Sequence, residues 1–478
     1  MGDLRATTLT GREILLPAAD VDAFQQRLRG PLIAPDDARY AEARQVWNAN
    51  IDRRPGLICR PVGVADVLSA VRFARDHSLL VSVRGGAHSF PGTCVCDGGL
   101  VIDLSLMKGI RVDPIGRTVR AEGGVTWGEF DRETQAFGLA TTGGTASDTG
   151  IAGLTLGGGL GWLGYKYGLA SDNLRSVDLV TADGTLRIAS DTEHPDLFWA
   201  VRGGGGNFGV VTSFEYRLHP VGPVLAGPVF HPFTKAKKVL QFYRDFASAT
   251  HEQLTTYALP MTAPDGTKVV ALAVCYSGPL DEGERLIAPV RRFGPPLEDQ
   301  ICPRAYTEFQ SMFDAGFPPR NQYYEKAHFL RELNDDAIDI VVEHFARVPS
   351  PRSLLFFQQS GGAMRRGDTA YAHRDALWNL ILVAQWLNPA ESERHIRWTR
   401  ELWQALRPYG TGGVYVNNIG REEDDGVDQV RAAYGANYPR LAALKKQYDP
   451  ENLFRHNQNI QPAVSGEPVL RGVTHGHG

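Results

Sequence analysis

Val81-Ser82-Val83-Arg84-Gly85-Gly86-Ala87-His88-Ser89 is the stretch on which the reading of this chain turns. Apolar and polar residues alternate as far as Arg84, which predicts a short strand. The strand runs into two glycines and a small residue, then presents one imidazole. Glycine lets a backbone approach a ligand closely and turn its N–H groups inward, which suits an anion such as a pyrophosphate. A histidine four residues after the arginine would stand at the edge of whatever that anion carries. Taken alone, the stretch reads more simply as a strand-to-loop turn with a capping histidine, because short glycine-rich motifs are weak evidence.

Composition narrows the field from outside. A chain of 478 residues should form two or more units, each with its own core. With 43% hydrophobic and 22% charged residues it has the balance of a globular protein. The net charge of -4 gives no support to nucleic-acid or anionic-membrane binding. No apolar stretch is long enough to cross a bilayer, and the first residues lack the basic and apolar regions of a signal peptide, so the expected location is cytoplasmic. Five scattered cysteines (59, 94, 96, 275 and 302) argue against a disulfide framework. The Cys94/Cys96 pair has no second pair to complete a metal site, and no metal is expected.

Outward from the opening stretch, Asp66 should start an amphipathic helix carrying Val67, Leu68, Val71, Phe73 and Ala74, and Leu79 to Val83 is β-rich. Strands are expected at 100–104, 117–121, 174–181 and 210–218, and a helix over 125–137. Glycine is dense from Gly143 to Gly168 and again at Gly203-Gly204-Gly205-Gly206. Near Pro220 the texture changes. Residues 221 to about 415 read as β-rich segments (269–275, 354–357, 380–386 and 414–417) between helices such as 282–293 and 337–347. This predicts an antiparallel sheet backed by helices. The expected division is 1–220, 221–429, a returning segment at 430–462, and a disordered tail at 463–478; Arg421 to Asp425 reads as a solvated loop.

The glycine clusters do not make a Rossmann fingerprint, which needs a strand, a helix start and an acidic residue about 20 positions on. Loops rich in backbone N–H spread over half the chain suit a long, extended dinucleotide better. Arg84 to His88, Leu154 to Gly161, Lys166 to Asn173, Asp196 to Gly205 and Asn207 to Thr212 follow one another in order. Tyr448-Asp449-Pro450-Glu451-Asn452-Leu453-Phe454 completes a pattern with the residues up to Ile460. Over residues 30 to 462 this pattern resembles the berberine bridge enzyme-like FAD-linked oxidases. That resemblance implies an α+β fold of the vanillyl-alcohol oxidase and p-cresol methylhydroxylase type, with a two-subdomain FAD-binding domain and a substrate domain whose sheet roofs the flavin.

By the same resemblance, FAD is the cofactor and His88 matches the histidine bonded to the flavin 8α-methyl. Arg84, Gly85, Gly86, Ala87 and Ser89 would cradle the pyrophosphate, with Val211 near the adenine. Gly144, Thr145, Asp148, Thr149, Gly153, Gly159, Asn457 and Asn459 complete the expected cofactor contacts. Many relatives form a second bond to the flavin from a cysteine; that position holds Ala146, so attachment is expected through His88 alone. At Thr149, three residues on, the family gates oxygen access. Threonine has nearly the shape of valine, which favours O2 as electron acceptor. Alcohol-oxidising relatives carry a tyrosine base where this chain has Asn418, and an amide cannot accept a proton near neutral pH. Either the substrate is an amine, whose neutral form needs no base, or another group serves, with Tyr324, Glu325 and Tyr323 as candidates. One of Gln358 and Gln359 should face the site, with Gln359 the expected one.

The implied activity is oxidation of a C–H beside an amine or alcohol, with hydride passing to the flavin and O2 reoxidising it. Aromatic residues between 221 and 415 suit a flat, apolar small molecule. A dehydrogenase using another acceptor and a non-catalytic flavin carrier are the rival readings.

Overall fold

The computed structural model describes residues 2–420 and 429–464. Near the N-terminus the helix Val64–Asp76 joins two strands, Leu57–Cys59 and Val81–Arg84, which flank Leu100–Asp103 and run parallel to it. Asp66 sits buried in the helix's first turn, and its carboxylate accepts the N–H groups of Arg29 and Gly30 at 3.0 Å and of Val62 at 3.1 Å. Those bonds fix the helix start, as a carboxylate there should. Val67, Val71 and Ala74 pack onto Leu57 and Ile102 in one core.

A second sheet is antiparallel, in the order Leu186–Ser190, Leu174–Val180, Val210–Arg217, Thr118–Glu122 and Ile110–Asp113. Beside it the helix Trp127–Gln135 begins with a capping box, in which Thr126 and Glu129 satisfy each other's backbone groups.

The third sheet is eight-stranded and antiparallel throughout. Its centre runs Val224–Pro232, Lys268–Tyr276, Leu254–Thr262, Leu354–Gln359, Trp378–Trp386 and Gln322–Leu330. Four helices (Ala236–Ser248, Leu280–Arg292, Asp335–Ala346 and Ser392–Leu406) bury their apolar faces against one side. The other side meets Trp162 and Leu163 of the glycine-rich region. Because side chains alternate along a strand, parity decides which residues look towards that region and which towards the helices.

One expected strand is absent. Residues 414–417 form no sheet ladder; Val416–Asn418 is a 3₁₀ turn. Asn417 donates to Leu154 O at 3.0 Å and Asn418 to Glu325 at 2.6 Å, so side-chain bonds compete here with strand pairing. The helix Tyr438–Tyr448 then carries the chain back to the glycine loop at 205–207. Ala463, the start of the expected disordered tail, donates to Ala442 O at 3.0 Å; the tail from 465 on, and the stretch 421–425, lie outside the described residues.

Candidate functional site

A single elongated cavity runs between the glycine-rich loops and the open side of the eight-stranded sheet. At one end its wall is largely backbone, from Gly85, Gly86, Gly150, Gly153, Gly205 and Gly206. Two of these loops touch backbone to backbone: a Cβ on Gly86 would lie 2.4 Å from Gly150 N. At Gly153, an exposed residue of the helix Ile151–Leu156 in the cavity wall, a Cβ would meet no atom within 4 Å. Asn457, from the returning tail, also lines this end, and its Oδ1 is buried with no hydrogen-bond partner. A backbone cradle, open space at a glycine and an unsatisfied amide oxygen are what a long dinucleotide would fill. The residues present fit FAD.

His88 stands midway, after Ala87, whose φ of 59° turns the chain in the left-handed region that non-glycine residues seldom adopt. The imidazole is packed on the Trp47 ring, centroids 4.1 Å apart, and Trp47 in turn stacks on Tyr323 at 3.9 Å. His88 Nε2 donates to Asp148 Oδ1 at 3.0 Å. Burial works to raise the Asp148 carboxyl, but the hydrogen bond and charge of His88, with further hydrogen bonds, together hold the group below its ordinary range. Asp148 therefore orients the ring from outside the cavity wall. Thr145, Ala146 and Thr149 line the cavity in this region.

At the far end the walls are Trp162, Phe313, Phe317 and Phe356, with Ile381 and Val383 from the sheet. A polar ladder crosses this apolar surface. Gln358 donates to Tyr257 Oη at 3.3 Å; Asn379 donates to Gln358 Oε1 at 3.1 Å and to Asn418 Oδ1 at 3.0 Å; Asn418 donates to Glu325 Oε1 at 2.6 Å. Glu325 is 4% exposed, and burial pushes its carboxyl up to about 8 against the lowering effect of the Asn418 N–H. Tyr415 also lines the cavity. Its oxygen accepts the N–H of Gly159 at 2.9 Å, and burial pushes it up to about 12.

Of the expected site residues, Gly85, Gly86, Ala87, His88, Ser89, Thr145, Thr149, Gly153, Val211, Asn457 and Asn418 line this one cavity. Asp148 reaches it through His88. Others do not line it. Arg84 shares the strand parity of Ser82, opposite to the cavity-lining Val81 and Val83, and its guanidinium donates to Ala43 O at 2.5 Å and Arg44 O at 3.4 Å. Gly144 accepts a bond from Gln310 and Gly159 donates to Tyr415; both brace the wall from behind. Asn459 lies beyond the wall. Tyr324 faces the helices, where its hydroxyl accepts from Arg400 Nε at 3.1 Å; its neighbour Glu325 has the cavity parity. Gln359 is likewise on the helix side, accepting from Thr256 and donating to Ala247 O at 2.7 Å, so Gln358 is the glutamine that faces the cavity.

Trp47 and Asn379 went unnoticed in the sequence. For Asn379 a signal existed: it and Gln385 are the two amides interrupting the apolar run Trp378 to Trp386, and Asn379 is fully buried. For Trp47 there was none. Among the described residues no cluster could hold a metal ion, and no helix is long and apolar enough to cross a membrane.

Comparison with known proteins agrees with the cavity. Residues 55–190 match the FAD binding domain family, and residues 414–461 match the berberine and berberine-like family. The chain is 34% identical over 453 residues to (R)-6-hydroxynicotine oxidase of Paenarthrobacter nicotinovorans, covering 92% of this chain and 98% of that protein. It is 33% identical over 450 residues to an FAD-linked oxidoreductase of Dictyostelium discoideum, covering 92% and 97%. Its structure resembles the crystal structure of 6-hydroxy-D-nicotine oxidase from Arthrobacter nicotinovorans with a TM-score of 0.85, covering 91% of this chain and 98% of that one.

Proposed function

This chain belongs to the berberine bridge enzyme-like FAD-linked oxidoreductases, with the p-cresol methylhydroxylase type of fold, and we propose that it is an oxidase of small, flat substrates. When bound, FAD supplies the electron sink, taking hydride at N5 from a C–H beside an amine or alcohol and passing the electron pair to O2 to give hydrogen peroxide. The residues of this chain would hold, orient and deprotonate. The backbone around Gly85, Gly86 and Gly153 would receive the pyrophosphate, and Val211 and Asn457 the far end of the cofactor. His88, its ring oriented by Asp148 and Trp47, would carry the covalent link by itself, since Ala146 offers no second nucleophile.

At the reacting end the aromatic walls would clamp a flat ring. Three groups there could take part in proton transfer or orientation. Asn418 can orient but accepts no proton. Tyr415, held near 12, is a poor proton acceptor at neutral pH, whereas Glu325, near 8, is matched to it. Glu325 is therefore the group we assign to the substrate's exchangeable proton. Thr149, whose short side chain lines the wall, would leave O2 a path. The similarity to a named 6-hydroxynicotine oxidase supports the oxidase reading over a dehydrogenase.

The observation that carries this proposal is the continuity of one cavity from the glycine backbone past His88 to Glu325. Acid-denatured wild-type protein should keep its yellow colour through a desalting column, and His88→Ala should lose it. The native protein should form peroxide with at least one member of an amine and alcohol panel. Colour leaving the wild type would overturn the covalent link. Bleaching without peroxide, the electrons going instead to an artificial acceptor, would overturn the oxidase.

A further inference from the structure

We infer that Asp314 is a positioning residue for covalent flavin attachment. Through Ser147 it fixes Asp148, the proton acceptor for the His88 ring, so bond formation depends on contact between the eight-stranded sheet and the loop 144–149. This rests on the attachment through His88 proposed above.

A carboxylate only accepts, so the 3.0 Å contact with Asp148 places the His88 proton on Nε2. The ring's other nitrogen, with no hydrogen bond among the described residues, is left with its lone pair for the cofactor. Forming the bond there puts positive charge on the imidazole. The Asp148 carboxylate, held below its ordinary range, neutralises that charge and takes the Nε2 proton. In balance, one C–H bond of the flavin 8α-methyl and the imidazole N–H are lost, and one N–C bond is made. The two protons and two electrons released reduce O2 to hydrogen peroxide.

Asp148 is in turn set by its neighbours. Ser147 O accepts from Gly128 N at 2.7 Å and Thr149 O from Trp127 N at 3.0 Å, which ties the loop to the start of the helix Trp127–Gln135. From the opposite side comes Asp314, between the strands Cys302–Arg304 and Gln322–Leu330 of the large sheet. Its two oxygens accept from Ser147 N at 2.8 Å and Ser147 Oγ at 2.5 Å, and Gln310 of the same segment donates to Gly144 O. Both donors of Ser147 are thus held by one carboxylate, a task for which an amide has one acceptor too few. Without Asp314 the loop keeps only its helix-side ties. A misplacement of about 1 Å at Asp148 can slow such a step about a hundredfold.

The test reads no turnover. The full chain is synthesised in a cell-free system with FAD in air and sampled over time. The covalent share is the flavin fluorescence that stays with the polypeptide on a denaturing gel, divided by total bound flavin. Wild type should reach complete attachment. Asp148→Asn, which still accepts the His88 bond but takes no proton, should attach about a hundredfold more slowly. Asp314→Ala should attach about ten- to a hundredfold more slowly while still binding FAD, with Asp314→Asn between it and wild type. A merely structural role at 314 would lower total flavin and leave the covalent share of what binds unchanged. Should Asp314→Ala fail to fold or to bind FAD, Ser147→Ala decides: it removes the hydroxyl bond alone and should show the same slowing in milder form. An unchanged covalent time course in Asp148→Asn, in Asp314→Ala or in that substitute would overturn the inference. A wild type without covalent flavin would instead sink the attachment through His88, and the inference with it, before any variant is made.

Discussion

Two glycines of the cavity wall look alike in sequence and should behave oppositely. A side chain on Gly86 would drive into the backbone of Gly150, so any substitution there attacks the fold. A side chain on Gly153 would stand in space that the protein leaves open. Gly153→Val should therefore fold with a stability within about 1 kcal/mol of the parent, since valine and glycine are both weak helix formers. Its flavin content, read as the ratio of yellow to protein absorbance, should fall severalfold. Full flavin loading in that variant would show that the space at Gly153 is not used by the cofactor. Glycine density and the lone histidine were legible because a backbone ligand site writes itself into local sequence. The choices between Tyr324 and Glu325, and between Gln358 and Gln359, were not. Each depends on strand parity, and a shift of one residue exchanges the two faces. That parity is fixed by the pairings of the strands Gln322–Leu330 and Leu354–Gln359 with Trp378–Trp386.

At the scale of elements, the returning helix Tyr438–Tyr448 is held by a buried ion pair. Lys445 Nζ donates to Asp449 Oδ2 at 2.6 Å, to Asn207 O at 2.7 Å and to Phe454 O at 2.9 Å, and neither charged side chain is exposed. One ammonium thus joins the helix, the glycine loop and the tail that bears Asn457. Lys445→Met should cost about 3–5 kcal/mol in urea unfolding, because it leaves Asp449 buried and uncompensated. An Asp449→Asn, Lys445→Met double variant should recover part of that loss. If Lys445→Met unfolds like the parent, the pair does not hold these segments together. Most elements were readable from periodicity: the helix expected from Asp66 is Val64–Asp76, and the strand expected at 269–275 is Lys268–Tyr276. Residues 414–417 were misread as a strand because β-branched and aromatic residues sit there, while the side-chain bonds that bend the segment reach partners far along the chain.

Across the whole molecule, the segments on the two sides of the cavity also touch directly. Asn48 donates to Tyr323 O at 3.0 Å, and Ser147 N to Asp314 at 2.8 Å. A cofactor lodged between them binds only the closed, folded form, so it should stabilise both halves by mass action. In His88→Ala, where FAD can exchange, the Tm should climb with added FAD, reaching about 2.7 kcal/mol of stabilisation at a hundred times the Kd. With its flavin attached through His88 as proposed, the wild type should show no such dependence. A His88→Ala protein whose Tm ignores FAD would mean that the cavity does not hold the cofactor without the bond.

The order in which that cavity is assembled from the chain has a consequence for biosynthesis. Its wall begins at Trp47 and ends with Phe454, Asn457 and Gln458. At a translation rate of ~5–20 residues per second, the stretch around His88 leaves the ribosome many seconds before its last neighbours are made. Nascent protein can fold the parallel strands around Val81–Arg84 early, yet it presents an open trough until the tail arrives. Flavin capture is then an event of the finished polypeptide, and a message cut short before codon 454 would yield a product with His88 in place and no closed wall around it.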